Sequence, residues 1–132
     1  MRKTMGALLG VVMAGAFSVA AAPSASAVTW DHTMKTDDDR PGGIVKWHMI
    51  GDVVEVCDIQ ADGWDAVAHV DDAAGHSYTI QAVGNGSCTR VDAKKKGKYD
   101  LAEVRYIGFK VCLKKGKVED FCDNAAWFNY EP

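Results

Sequence analysis

The sequence predicts an all-β protein: an antiparallel β-sandwich, with an immunoglobulin-like or small-barrel arrangement as the alternative, braced by two disulfides. Three observations carry this. Apolar residues recur with period two over short segments, which puts one face of each strand in a core and the other in water. Turns rich in glycine and aspartate separate those segments at regular intervals. Beyond residue 27, no apolar pattern of helical period persists for three turns.

The elements follow in order. Val28 to Gly43 reads as a lead-in, and Asp37 to Gly43 within it as a charged loop without periodicity. Ile44 to Ile50 is a first strand, closed by a tight turn at Gly51-Asp52. Val53 to Ile59 is rich in β-branched residues. Asp62-Gly63 then has the residues of a hairpin turn. Trp64, Ala66, Ala68 and Val70 point one way along the next strand, with Asp65, His69 and Asp71 opposite and Val67 the exception. Tyr78, Ile80 and Ala82 repeat the pattern against Ser77, Thr79 and Gln81. These strands together read as an antiparallel meander. Leu101 to Leu113 is long and apolar, with a change of phase near Gly108 that suggests a β-bulge. Val118 to Cys122 and Ala126 to Tyr130 are the last strand candidates, giving six to eight in all.

The first 27 residues have another character. Arg2 and Lys3 precede an uncharged run from Gly6 to Ala22, and Ala25-Ser26-Ala27 offers a small-x-small cleavage site. Residues 1–27 therefore read as a secretory signal peptide and residues 28–132 as a single secreted domain. Cleavage after Ala22 would leave Pro23 first, an unfavourable residue there. A retained anchor is the alternative, but the run is at the short limit for a membrane span.

Export puts the four cysteines in an oxidising environment, where an even count reads as two disulfides. Four cysteines allow three connectivities. Local pairing, Cys57–Cys88 with Cys112–Cys122, is the expectation, and in the chain-entropy model such loops contribute about 3.7 and 2.8 kcal/mol. No Cys-x-x-Cys pair favours zinc instead.

The net charge of −3 argues against nucleic acid as a partner. Acidic residues dominate up to Thr89 and basic ones beyond it. Lys94 to Lys98 and Lys114 to Lys117 are expected at opposite ends of a strand, as solvated turns.

Chemistry-bearing patterns are sparse. Asp58-x-Gln60-x-Asp62-Gly63 resembles the start of a calcium loop, but His69 stands where the bidentate glutamate belongs. His69 and His76, with Asp71 and Asp72 between them, offer metal-ligand types but are expected on opposite faces. No Gly-x-Ser-x-Gly is present, and cysteines paired as disulfides supply no thiolate. The expectation is accordingly no catalytic residue, no cofactor and no metal. Trp30, Trp47, Trp64 and Trp127, with Tyr99 and Tyr130, are candidates for a sugar-stacking surface. Asn85-Gly86-Ser87 matches a glycosylation sequon, which a Gly-Asn-Gly turn explains equally.

Val56 to Gly63, preceded by Gly51-Asp52, resembles a pattern in small secreted proteins of actinobacteria, streptomycetes in particular. The resemblance transfers no active site. In size, disulfide number and β character the chain is also similar to streptomycete α-amylase inhibitors, without their Trp-Arg-Tyr motif. The functional expectation is a monomeric, non-enzymatic extracellular protein acting by surface binding to a protein or glycan. An inhibitor of an extracellular hydrolase, presenting the turn inside the Cys112–Cys122 loop, is the second reading. A carbohydrate or cell-wall binding module is the third.

Overall fold

A computed structural model describes residues 27–132; apart from Ala27, the signal-peptide reading falls on residues outside that range. Eight strands form two antiparallel four-stranded sheets. They are β1 (His32–Lys35), β2 (Gly43–His48), β3 (Val53–Asp58), β4 (Asp65–Asp71), β5 (Ser77–Ala82), β6 (Cys88–Val91), β7 (Arg105–Lys115) and β8 (Val118–Asn129). Sheet A has the order β1-β2-β3-β6 and sheet B the order β5-β4-β7-β8. Two short 3-10 turns, Ala93–Lys95 and Gly97–Tyr99, link β6 to β7. Among the described residues, no helix is long and apolar enough to cross a membrane.

The predicted fold class is therefore observed, and so are both disulfides, Cys57–Cys88 and Cys112–Cys122. Each staples neighbouring strands of one sheet: Cys57 and Cys88 are register partners on β3 and β6, and Cys112 and Cys122 join β7 to β8.

Five expectations need correction. The lead-in contains β1, whose only aliphatic side chain is Met34 and which therefore lacks a readable alternation. β6 is equally short and was hidden beside the lysine run. Asp62-Gly63 is not a hairpin turn: β3 and β4 belong to different sheets, and Ile59 N–H donates to Gly42 O as the chain crosses over. Both strands bury a period-two face, and that pattern is the same whether strands lie side by side or face each other. Finally, Gly108 is in register with Ala126; the irregularity lies between Val111 and Leu113, where Phe121 and Cys122 oppose Cys112. β8 is correspondingly one strand rather than two.

The core lies between the sheets. Val45, Trp47, Val54 and Val56 of sheet A meet Ala66, Ala68, Val70, Ile80, Ile107, Phe109 and Val111 of sheet B. Trp47 is fully buried, with Phe109 at 5.0 Å and Trp127 at 6.3 Å between ring centroids. His32 stacks on Trp127 at 4.7 Å. At Gly43 the two sheets come close, because a Cβ there would lie 3.0 Å from that of Ala66.

One end of the sandwich is tied by buried carboxyls. Asp52, in the β2–β3 turn, accepts from Leu101 N–H at 2.8 Å and Asn129 Nδ2 at 3.4 Å. Burial is the main cause that pushes its pKa up to about 7, helped by Glu131, Asp100 and Glu103, against the Leu101 hydrogen bond. Burial also raises Asp58. Asp72 goes the other way. Burial alone would raise it, but the N–H groups of Ala74, Ala102 and His76, with the His76 ring, hold it at about 2.

These shifts fix a pH profile. Asp52 binds its proton more tightly folded than unfolded, so stability falls as pH rises from about 4 to about 7. Asp72 binds its proton less tightly folded, so its contribution is lost as pH falls from about 4 toward 2. Urea unfolding is expected to show maximal stability near pH 4 and a loss of roughly 2–4 kcal/mol by pH 7. Asp52→Asn should remove most of that loss and leave the smaller slope due to Asp58. A wild-type profile that is flat from pH 4 to 7 would contradict this account.

Candidate functional site

The outer face of sheet B carries the most developed surface feature. Side chains alternate along β7: Ile107, Phe109, Val111 and Leu113 enter the core, while Tyr106, Gly108 and Lys110 face outward and Cys112, of the same parity, is covered. Across the ladder, Phe128, Ala126 and Asn124 of β8 oppose Tyr106, Gly108 and Lys110. On the other side of β7, Asp71 and His69 of β4 oppose Gly108 and Lys110.

Two consequences follow from that register. Gly108 and Ala126 lie side by side with almost no bulk, leaving an open trough of about 490 Å³. Its rim carries His69, Asp71, Ser77, Lys110 and Asn124. Next to it, Tyr106 meets Phe128 edge-on at 5.1 Å, and Phe128 meets Tyr130 at 4.7 Å with planes inclined by 53°. Tyr106 and Tyr130 are 65% and 72% exposed, and Val104 beside β7 is 70% exposed. Large exposed aromatics grouped in this way mark interaction surfaces.

Beyond the trough, His69 links three strands. Its Nδ1 is 2.9 Å from Thr79 Oγ1 on β5, and its Nε2 is 2.8 Å from Glu119 Oε2 on β8. Hydroxyl, imidazole and carboxylate thus form a hydrogen-bonded line on an open sheet face. The His69–Glu119 pair stands above the Cys112–Cys122 bond, with Cys112 Sγ close to both side chains.

The other predicted site residues are dispersed. His76 bonds Asp72 within the β4–β5 turn and does not meet His69. Asp58 accepts from Gln60 N–H and Asp62 from Trp64 N–H, so both carboxylates serve local turns. The metal-competent groupings among the described residues are Glu55/Cys57/Cys88 and His69/Cys112/Glu119, and neither contains them. The proposed stacking surface does not assemble from its tryptophans. Trp47 is core, Trp127 packs against it, and Trp64 meets Phe121 edge-on beneath Lys115. Trp30 lies under Lys46 and Arg90 on sheet A, and Tyr99 packs on Tyr78. Only Tyr130 belongs to the exposed cluster. Tyr106 and Phe128 were missed, although Tyr106 had left a trace: it caused the apparent change of phase at Gly108, which is an apolar side chain facing water rather than a bulge.

The second expected feature, the lysine turn, sits at the far end of sheet B. Lys115 pairs with Val118 around Gly116-Lys117, a two-residue turn inside the Cys112–Cys122 ring. No family profile, curated protein or solved structure matches the chain.

Exposed aromatics contribute little to folding. Tyr106→Ser and Tyr130→Ser are expected to change unfolding free energy by less than about 1 kcal/mol each. Trp47→Ala should cost about 3–5 kcal/mol. Parallel urea titrations would check both, and a large loss at Tyr106 or Tyr130 would make the cluster structural.

Proposed function

We propose that the chain is a secreted, non-enzymatic binding protein that takes up a glycan on the outer face of sheet B. The observation that carries this is Gly108. Its backbone has no positive φ, and a Cβ there would meet nothing closer than Asp71 O at 3.5 Å, an ordinary contact. The fold does not require glycine at this position, and glycine inside a strand costs about 0.5–1 kcal/mol. What its absent side chain provides is the floor of the trough.

The surroundings suit a sugar. Aromatic rings at one end offer apolar faces for C–H groups, and Asp71, Ser77, Lys110 and Asn124 offer donors and acceptors for hydroxyls. Because the rings are inclined to one another, they fit a single glycan chain better than the flat face of a crystalline polysaccharide. Secretion is supported by the leader composition and by two disulfides.

Affinity electrophoresis through gels containing soluble cell-wall polysaccharides tests this directly. Retardation by at least one polysaccharide is expected, and it should vanish in Tyr106→Ser/Phe128→Ser. Gly108→Val should also abolish it while raising stability by about 0.5–1 kcal/mol. The reading fails if no polysaccharide retards the protein, or if Gly108→Val binds normally.

The braced lysine turn supports a second reading, as an inhibitor of an extracellular hydrolase. A two-residue hairpin inside a disulfide ring loses little entropy on docking. Inhibition of an amylase or serine protease that disappears in Lys115→Ala/Lys117→Ala would favour it; wild-type protein inactive against both classes would remove it.

A further inference from the structure

Four side chains with zinc-ligand chemistry converge beyond the trough. His69 from β4, Cys112 from β7 and Glu119 from β8 bring a ring nitrogen, a sulfur and a carboxylate oxygen within 4.8 Å of one another. Cys122, bonded to Cys112, adds a second sulfur at the same point. Two cysteines, a histidine and a carboxylate form a tetrahedral zinc set. While the disulfide is intact its sulfurs are not thiolates, and His69 and Glu119 bond to each other instead.

We propose that reduction of the Cys112–Cys122 bond converts this cluster into a zinc site, with His69 Nε2, Cys112 Sγ, Cys122 Sγ and Glu119 as ligands. An external dithiol supplies two electrons and two protons: its own disulfide forms, the Cys112–Cys122 bond breaks, and two thiols result. Zinc then displaces both thiol protons. The His69 proton moves from Nε2 to Nδ1, where Thr79 Oγ1 at 2.9 Å accepts it and holds the ring in place.

The surroundings accommodate the change. Both sulfurs lie outside the core cluster between the sheets. The ladder is already irregular where Phe121 and Cys122 oppose Cys112, so the sulfurs can separate from bonding distance to the roughly 3.8 Å of a tetrahedral site. Cys122, less buried than Cys112, is the sulfur an external thiolate reaches first. The other disulfide provides an internal contrast. Glu55 stands beside Cys57 and Cys88, but its oxygens are held by Arg90 and Lys46, and no histidine completes the set.

The site shares His69 with the rim of the trough but does not rest on the glycan reading, and it is tested without a glycan. Cobalt is titrated into protein reduced by a water-soluble phosphine under anaerobic conditions, then displaced with zinc. The reduced chain should take up one equivalent, with thiolate charge-transfer and tetrahedral d–d absorption, and the oxidised chain none. His69→Ala and Glu119→Gln should each weaken zinc binding about 10-fold or more. Cys57→Ser/Cys88→Ser should leave it unchanged, with Glu55→Gln as the alternative control should that pair fail to fold. The proposal is overturned if the reduced chain binds neither metal. It is equally overturned if both ligand variants keep full affinity, or if reduction unfolds the chain and zinc does not restore its near-ultraviolet dichroism.

Discussion

The two sheets are joined mainly by packing, supplemented by hydrogen bonds such as Asn129 Nδ2 to Asp52 and Thr89 Oγ1 to Gln81 O. Neither disulfide crosses between them, since one lies within each sheet. What closes the sandwich is the group around Trp47, which reaches from β2 to Phe109 on β7 and Trp127 on β8, with His32 stacked on the outside. The distance between the sheets is limited where Gly43 approaches Ala66. Trp47 must therefore carry both area and shape. It does so at some cost, because its Nε1–H is buried without a partner among the described residues, as is the Tyr78 hydroxyl. Cohesion between sheets that rests mainly on apolar contact leaves the disulfides and outer faces free for other roles.

Much of this was legible in the sequence, for identifiable reasons. Tyr78–Ala82, with one clean buried face, announced itself by alternation, and Ala66–Val70 did so despite Val67, which is buried on the opposite face. The disulfide pairs were readable because local closure places each pair across neighbouring strands. The assignment of strands to sheets was not readable. β3, read from its β-branched residues, and β4, read from its alternation, lie on opposite sides of the core, and a short Asp-Gly connection serves a crossover as well as a hairpin. The candidate site was the least legible part. Tryptophan is the more conspicuous residue, yet burial took Trp47 and most of Trp127, and the surface went to Tyr106, Phe128 and Tyr130. Register, not composition, brings those three together.

The outer faces of the two sheets differ in a way that bears on function. On sheet A, Glu55 pairs with Lys46 and Arg90, and both cations lie over Trp30. Charge and ring satisfy each other there, and little is left for a ligand. On sheet B, the comparable central position is Gly108, flanked by Tyr106 on one side and Lys110 on the other. The long exposed edge of β8 is guarded by Glu119, Asp120 and Asp123, which discourages pairing with another strand. A partner for sheet B is therefore directed to the face rather than the edge. On that face, the position with neither bulk nor backbone strain is flanked by rings and hydrogen-bonding groups. A fold that only needed to be stable would have filled it.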